Sequence, residues 1–226
     1  MPSCWFITGT DTEVGKTLSS CALLEAAKKA GHRCAAYKPV AAGSEPSDQG
    51  LRNEDALLLQ AHSGVALGYG EVNPLALAEP TSPHIASQAE GRPIDTVVLS
   101  AGLAHLKTRA DWILVEGAGG WLTPLTDQLS LADWVTNEQL PVILVVGMKL
   151  GCINHALLTA QAVAQSGLPL AGWIANAVLP PQRRHREYLA TLKAQLKAPC
   201  LGEIPHLSQG QQISGDWLDI SALTNR

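Results

Sequence analysis

One stretch near the N-terminus combines residue types and spacing that bind phosphate. Residues 9–17 read G-T-D-T-E-V-G-K-T and lie between an apolar run and a helical pattern. In such a loop the backbone N–H groups point at phosphate oxygens, and the positive end of the following helix strengthens the attraction. Lys16 is placed to reach the β- and γ-phosphates, and the Thr17 hydroxyl to ligate Mg²⁺. The stretch therefore predicts a site for a nucleoside triphosphate with magnesium.

The spacing of this loop departs from the usual rule. Five residues separate Gly9 from Gly15, whereas the common phosphate-loop pattern has four. A chance G-K-T at the start of a helix is the alternative. The agreement of strand, loop, helix and a later acidic strand favours the phosphate loop.

An acidic residue at the end of a later strand is a candidate partner for magnesium. Glu116 ends the apolar run 112–116 and is followed by Gly117, Ala118, Gly119 and Gly120. Small residues let the backbone come close to a phosphate or substrate. The alternative is an ordinary glutamate at a strand end.

Two further residues have chemistry that spacing alone leaves open. Lys38 ends the second strand pattern, where it could neutralise charge on a transferred phosphoryl group, and the alternative is a solvated lysine. Asp55 lies in R-N-E-D-A after an irregular stretch, and by spacing alone a helix cap is the favoured interpretation.

Apolar runs alternate with helical patterns along the chain. The strand-like runs are 4–8, 33–38, 112–116, 142–146, 171–176 and 200–204. The helical patterns are 15–30, 95–106, 130–137, 154–166 and 183–196. Near-continuous apolar strands are typical of a parallel sheet covered on both faces, and the alternation indicates βαβ units. We expect an α/β fold with a doubly wound, mostly parallel sheet, helices on both faces and one domain over residues 1–226.

Two irregular stretches, 42–53 and 64–93, are rich in Gly, Ser or Pro. In an open α/β sheet such stretches are expected near the carboxyl ends of the strands, where ligands bind.

Composition argues against several classes of partner. The formal net charge is -4, so the chain has no basic surplus for a nucleic-acid backbone. No apolar run approaches the roughly 18 residues of a membrane helix, and the N-terminus lacks a signal-peptide pattern. Five cysteines without a C-x-x-C pair predict reduced thiols in a cytosolic protein.

Several motifs, taken together and in order, resemble those of the dethiobiotin synthetases. They are G-T-D-T-E-V-G-K-T, Y-K-P-V, N-E-D-A, E-P-T-S-P-H, V-E-G-A-G-G-W, K-L-G-C-I-N-H and G-E-I-P. The resemblance runs from about residue 5 to 207, and its joint pattern is far more specific than the loop alone. It implies a P-loop NTPase-like fold and a cytoplasmic, homodimeric enzyme of biotin synthesis.

The resemblance also implies a reaction. One amine of 7,8-diaminononanoate forms a carbamate with carbon dioxide, and the carbamate oxygen attacks the γ-phosphorus of ATP. The second amine then attacks the mixed carbamic–phosphoric anhydride, so the ureido ring closes as phosphate leaves. The products are dethiobiotin, ADP and phosphate, with Mg²⁺ as the metal.

Site roles follow from the same resemblance. Lys16 and Lys38 are the expected catalytic residues, and Thr17, Asp55 and Glu116 the expected magnesium ligands. Contacts with ATP are expected at Glu13, Val14, Gly15, Lys16, Thr17, Leu18, Asp55, Glu116, Gly117, Ala118, Gly119, Asn176, Ala177, Pro205, His206, Leu207 and Gln212. Contacts with the diamine or its carbamate are expected at Thr12, Lys38, Ala42, Gly151, Cys152, Asn154 and Tyr188.

Within the substrate set, the start of the helix at 151–154 and Tyr188 are expected to receive the distant carboxylate of a substrate bound to the neighbouring subunit. Helix N–H groups suit a carboxylate. For Asn154 a helix N-cap is the alternative, and both roles can coexist. Asn176 is expected to contact the adenine edge.

The chain departs from the family pattern at two positions. Ala42 stands where a substrate-contacting serine is common, which removes a hydrogen bond worth about 0.5–1.5 kcal/mol. Ala177 stands where many relatives have an acidic residue, which bears on the preference among ATP, CTP and GTP.

Two other functions are open to a protein with a phosphate loop, and the sequence argues against both. Partitioning and cell-division switch ATPases carry an extra lysine five residues before the loop lysine, and here that position is Asp11. Glutamine-dependent synthetases with a related ATP domain need a further amidotransferase domain, for which 226 residues leave no room.

Overall fold

A parallel sheet forms the centre of the molecule. The computed structural model describes residues 2–180, 183–208 and 211–224. In those ranges six strands pair in the order β10-β9-β8-β1-β7-β2, and every pair is parallel. The strands are β1 Ser3–Gly9, β2 Cys34–Tyr37, β3 Val40–Ala41, β4 Glu45–Ser47, β5 Gly50–Arg52, β6 Leu75–Ala76, β7 Trp112–Gly120, β8 Val142–Gly147, β9 Leu170–Asn176 and β10 Cys200–Ile204. Outside the main sheet, β3 pairs with β6 and β4 with β5.

Helices cover both faces of this sheet. They are α1 Lys16–Lys29, α2 Glu54–His62, α3 Tyr69–Val72, α4 Pro83–Ala89, α5 Thr96–Arg109, α6 Leu131–Asn137, α7 Cys152–Gln165, α8 His185–Gln195 and α9 Ser221–Thr224, with a 3-10 turn at Gly215–Trp217. None of the helices in the described ranges is long and apolar enough to cross a membrane.

Neighbouring residues of β1 show how the two faces are filled. Ile7 packs in a buried cluster with Leu23 of α1, whereas Phe6 packs in a second buried cluster with Val115 of β7 and Leu103 of α5. Successive strand residues point to opposite faces, so an apolar run without alternation supplies both cores. This arrangement confirms the doubly wound, mostly parallel fold.

Six predicted strands and five predicted helices are present, with ends that differ by a few residues. The two stretches expected to be irregular contain short elements that the patterns did not reveal. The first holds the β4–β5 hairpin, and the second holds α3, β6 and α4. These elements have two to seven residues, too few for periodicity to distinguish them from a loop.

The strand order brings the predicted site residues together at the carboxyl ends of the strands. Since the sheet is parallel, the carboxyl ends of β1, β2 and β7 lie on the same side, and β7 lies between β1 and β2. The loop after β1, the lysine after β2 and the carboxyl-terminal half of β7, which begins at Glu116, therefore converge, as expected for a ligand site in an open α/β sheet.

Candidate active site

The loop between β1 and α1 has the geometry of a phosphate cradle. Gly15, at the helix N-cap, has φ 82°, and Glu13 has φ 59°. The side chain of Lys16 is largely buried, and its Nζ donates to the Asp11 carbonyl at 3.3 Å. Burial lowers the pKa of Lys16. The loop therefore places the ammonium group of Lys16 beside the start of a helix.

Gly15 provides a test of this loop. A Cβ on Gly15 would lie 2.0 Å from Nδ2 of Asn176, which donates to the Val14 carbonyl at 2.8 Å. The left-handed backbone adds about 1–2 kcal/mol for a residue with a side chain. We expect Gly15→Ala to raise the Kd for ATP at least about tenfold, measured by calorimetry.

Gly31 offers a matched control for Gly15. It has φ 88°, and a Cβ there would meet nothing within 4 Å. Gly31→Ala therefore introduces the same backbone strain away from the loop, and its affinity for ATP should equal that of the wild type. Unchanged binding by Gly15→Ala would contradict the cradle.

Glu116 is the centre of a buried hydrogen-bond cluster beneath the loop. Its side chain is 0% exposed. Oε1 accepts from Nζ of Lys38 at 2.7 Å and from Oγ1 of Thr17 at 2.9 Å. Oε2 accepts from Oγ of Ser20 at 2.6 Å. A carboxylate with these donors is held in one orientation. Glu116 was predicted to end its strand, but β7 continues to Gly120, so Glu116 lies in mid-strand.

Sequence reasoning missed Ser20. It lies three residues after Thr17 on α1, and helix positions three apart share a face. That spacing was the available signal. Ser20 is fully buried, so it orients Glu116 from the core side rather than from the cleft.

Lys38 lies between two carboxylates. Its Nζ is 2.7 Å from Oε1 of Glu116 and 3.3 Å from Oδ2 of Asp55. Burial alone would lower the pKa of Lys38, but the charges of Glu116 and Asp55 outweigh it and raise that pKa. The interpretation as a solvated lysine is wrong, because the residue is only 4% exposed.

The helix-cap interpretation of Asp55 is also wrong. The N-cap of α2 is Asn53, whose side-chain oxygen accepts from the N–H of Ala56. Asp55 lies two residues further on, in the first turn of α2, with its side chain 47% exposed and facing Lys38. It therefore belongs to the charged cluster.

The oxygen atoms of this cluster fit a magnesium ion. Glu116 and Asp55 both pair with Lys38, and the Thr17 hydroxyl donates to Glu116. Two carboxylates and a hydroxyl match the hard oxygen ligands of Mg²⁺, which keeps several waters and binds substrate phosphates. Within the described part of the chain no group of three or more His, Cys, Asp or Glu side chains could hold a metal ion.

A cleft of about 890 Å³ opens above the cluster. It is lined by Thr10, Asp11, Thr12, Glu13, Gly15, Lys16, Thr17, Lys38, Ala41, Ala42, Asp55, Pro80, Thr81, Ser82, Pro83, Ala118, Gly119, Gly120 and Thr123. Residues 80–83 and Thr123 had no site role in the sequence analysis. The available signal for 80–83 was the motif E-P-T-S-P-H.

The part of β7 that follows Glu116 reaches the cleft through Ala118, Gly119 and Gly120. Gly119 has φ 61°, and a Cβ there would lie 2.6 Å from Oγ1 of Thr123 and 3.8 Å from Oγ1 of Thr12. Thr123 in turn accepts from the N–H of Gly120. Gly117 packs under Phe6, so it supports this part of β7 without lining the cleft.

The residues predicted for the nucleotide base lie near the loop but outside this cleft. Asn176 is buried and its Nδ2 donates to the Val14 carbonyl. Its Oδ1 has no hydrogen-bond partner among the residues that the structure describes. The N–H of Ala177 donates to Ile204, and Nδ1 of His206 is 3.2 Å from the Ala177 carbonyl. Val14 is buried and Leu18 half-buried, while Pro205 and Gln212 are exposed and Leu207 is half-buried.

The residues predicted for the substrate carboxylate form a separate group. Gly151 is the N-cap of α7, so the N-cap interpretation of Asn154 is wrong. Asn154 is exposed, Cys152 is buried, and Tyr188 is half-buried against the apolar cluster that includes Cys152. None of the four lines the cleft described above.

Relatives with known names decide the family. The chain is 65% identical to the ATP-dependent dethiobiotin synthetase of Pseudescherichia vulneris over 97% of this chain and 92% of that protein. It is 61% identical to the ATP-dependent dethiobiotin synthetase of Escherichia coli (strain K12) over 97% of this chain and 98% of that protein. The chain belongs to the dethiobiotin synthetase family. A profile described as "AAA domain" matches residues 4–214.

Solved structures of other proteins share the fold of this dethiobiotin synthetase family member. Chloroplast FtsY from Physcomitrella patens matches with a TM-score of 0.51 at 18% identity, covering 99% of this chain and 65% of that one. The septum site-determining protein MinD from Pyrococcus horikoshii matches with a TM-score of 0.51 at 16% identity, covering 92% and 82%. At these identities the likeness concerns the fold alone.

Proposed function

We propose that this chain closes the ureido ring of dethiobiotin from 7,8-diaminononanoate, carbon dioxide and ATP, at the cleft above Glu116. The chain is an ATP-dependent ligase that forms carbon–nitrogen bonds, as its relatives at 61–65% identity are. The observation that carries the site assignment is the position of Lys38. Its ammonium group lies between Glu116 and Asp55, beside the loop that holds Lys16.

Charge explains why two lysines are needed. A carbamate and a triphosphate are both anionic, so they repel each other unless cations gather them. Lys16 would contact the β- and γ-phosphates, and Lys38 would stabilise the phosphoryl group as the carbamate oxygen attacks it. Burial strengthens both interactions because water is excluded around them.

Thr17, Asp55 and Glu116 would hold Mg²⁺. The ion would supply further positive charge for the phosphates. Lys38 occupies the space between the two carboxylates, so it keeps them close together and neutralises them. The same lysine also lines the cleft.

We assign the adenine to the ends of β9 and β10. The buried Oδ1 of Asn176 supports this. It has no partner within ranges 2–180, 183–208 and 211–224, and a buried acceptor without a partner is costly unless a ligand satisfies it. The exocyclic amino group of adenine is such a donor. Ala177, residues 205–207 and Gln212 would complete the wall around the base.

We assign the diamine to the part of the cleft lined by Thr12, Lys38 and Ala42. Ala42 has no side-chain hydrogen bond to offer, whereas Thr81 and Ser82, which also line the cleft, carry hydroxyl groups. Gly151, Cys152, Asn154 and Tyr188 lie outside this cleft, which supports a role across a homodimer interface. We further propose one domain over residues 1–226 and a cytoplasmic location.

Turnover tests the proposed function. Incubated with the diamine, bicarbonate and Mg-ATP, the wild type should release phosphate only when the diamine is present, in equal amount to dethiobiotin detected by mass spectrometry. Lys16→Ala, which removes the phosphate contact, should lower this rate by about 10²-fold or more. Phosphate release that is independent of the diamine would contradict the proposed function. ATP-dependent self-association without any amine would instead favour a switch ATPase.

A further inference from the structure

The backbone of Lys38 is held by a segment far from the phosphate loop. Lys38 follows the last residue of β2 and precedes Pro39, so it has left the main sheet. Its N–H donates to the Val72 carbonyl at 2.7 Å, and its carbonyl accepts from Nδ2 of Asn73 at 2.7 Å. Both backbone polar groups of Lys38 are therefore satisfied by residues 72 and 73.

Asn73 is buried, and each part of its side-chain amide is used. Nδ2 also donates to the Leu75 carbonyl at 3.3 Å, and Oδ1 accepts from the hydroxyl of Tyr69 at 2.9 Å. Tyr69 and Asn73 are four residues apart across α3, a spacing that brings side chains together. These hydrogen bonds fix the orientation of the Asn73 amide, and one of them comes from the Tyr69 hydroxyl.

The Tyr69 hydroxyl continues the chain of hydrogen bonds to the helix that carries Asp55. It accepts from the N–H of Asn53 at 2.7 Å while it donates to Asn73. Asn53 is the N-cap of α2, and its Nδ2 donates to the carbonyl of Ala42 at 3.2 Å, in the cleft wall. The ring of Tyr69 is fixed from outside by the guanidinium of Arg52, 4.2 Å from the ring centroid.

We propose that Tyr69 and Asn73 are positioning residues that set the distance between Lys38 and Asp55. The inference rests on the function proposed above. The single hydroxyl of Tyr69 links the backbone of Lys38, through Asn73, to the start of α2. Neither residue lines the reaction cleft. Since Lys38 and Asp55 lie 3.3 Å apart, a shift of either element changes where the ammonium group meets the phosphoryl group.

Tyr69→Phe tests this with the loss of one oxygen atom. The substitution leaves the Asn53 N–H and the Asn73 oxygen without their partner. We expect kcat to fall about 10- to 100-fold, since small misplacements of reacting groups carry costs of that size. The KM for ATP should change less than about threefold, because the phosphate loop is untouched.

Tyr37→Phe is the matched control. Tyr37 precedes Lys38 in sequence and also has a buried hydroxyl, but that hydroxyl donates to the Leu99 carbonyl on α5. Its loss should destabilise the protein without affecting kcat. Thermal unfolding and circular dichroism of both variants would separate lost stability from lost positioning.

A double-mutant cycle with Asp55→Asn provides the second readout. If Tyr69 acts through the placement of Lys38 and Asp55, its effect on kcat should shrink in the Asp55→Asn background. The inference is overturned if Tyr69→Phe keeps kcat within twofold, if Tyr37→Phe loses as much, or if the two effects multiply independently. Failure of the wild type to make dethiobiotin would instead overturn the proposed function, and that is measured first.

Discussion

Lys38→Met is expected to lower kcat by about 10²–10³-fold, the size found when one electrostatic contact to a transition state is removed. Methionine keeps most of the length of the unbranched side chain and removes its charge. Affinity for ATP should change much less, because Lys16 and the loop backbone remain. Single-turnover phosphate release and nucleotide binding by calorimetry would separate the two effects.

The same substitution should destabilise the protein. Glu116 is completely buried and would lose the cation at 2.7 Å, although the hydroxyls of Thr17 and Ser20 remain. Breaking a buried ion pair from one side costs about 3–5 kcal/mol, so the free energy of unfolding in urea should fall by about that amount. The activity must be measured on protein shown to be folded.

Lys28→Met is the matched control for Lys38→Met. Lys28 also donates to a carboxylate at 2.7 Å, that of Glu25, but both side chains are partly exposed on α1. Surface pairs contribute about 0–1 kcal/mol, so both stability and kcat should stay close to the wild type. A Lys38→Met enzyme with kcat within threefold of the wild type would remove Lys38 from the mechanism.

Glu116→Gln is expected to lower kcat by about 10²-fold and to raise the Mg²⁺ concentration needed for half-maximal rate by about 10- to 100-fold. The amide keeps the shape of the side chain but carries no charge. Its NH₂ group would also face one of three donors, from Lys38, Thr17 and Ser20. A titration of Mg²⁺ at fixed ATP would measure both effects.

Glu25→Gln is the control for the glutamate. Glu25 accepts from Lys28 and contacts His62 on the outer side of α1, outside the cleft. Its magnesium dependence should match that of the wild type. If Glu116→Gln had the same magnesium dependence too, the proposed ligand set would be wrong even though the buried cluster exists.

The sequence alone predicted the strands of the parallel sheet and the phosphate loop. The strands 142–146 and 200–204 lie within or match β8 and β10, because an apolar run in a parallel sheet is a local property of the chain. The phosphate loop at 9–17 could also be predicted, since its glycines, lysine and threonine are close together in sequence and form the loop locally.

Local sequence patterns could not assign the role of Asp55. Its neighbours R-N-E-D-A predict a helix start, and the helix is present, but the cap is Asn53 and the carboxylate of Asp55 faces Lys38. Nothing within a few residues of Asp55 distinguishes these roles. The family resemblance placed it among the magnesium ligands, and the structure brings it to the lysine.

The grouping of the charged residues was decided by tertiary structure. Lys38 and Glu116 are 78 residues apart in sequence, and Ser20 and Glu116 are 96 apart. They meet because β7 lies between β1 and β2, which places Glu116 between α1 and the end of β2. Strand order depends on how whole βαβ units pack, and no short window of sequence contains that information. The residues and the loop chemistry were thus readable from the sequence, whereas the buried cluster and the hydrogen bonds that hold Lys38 come from the order of the strands.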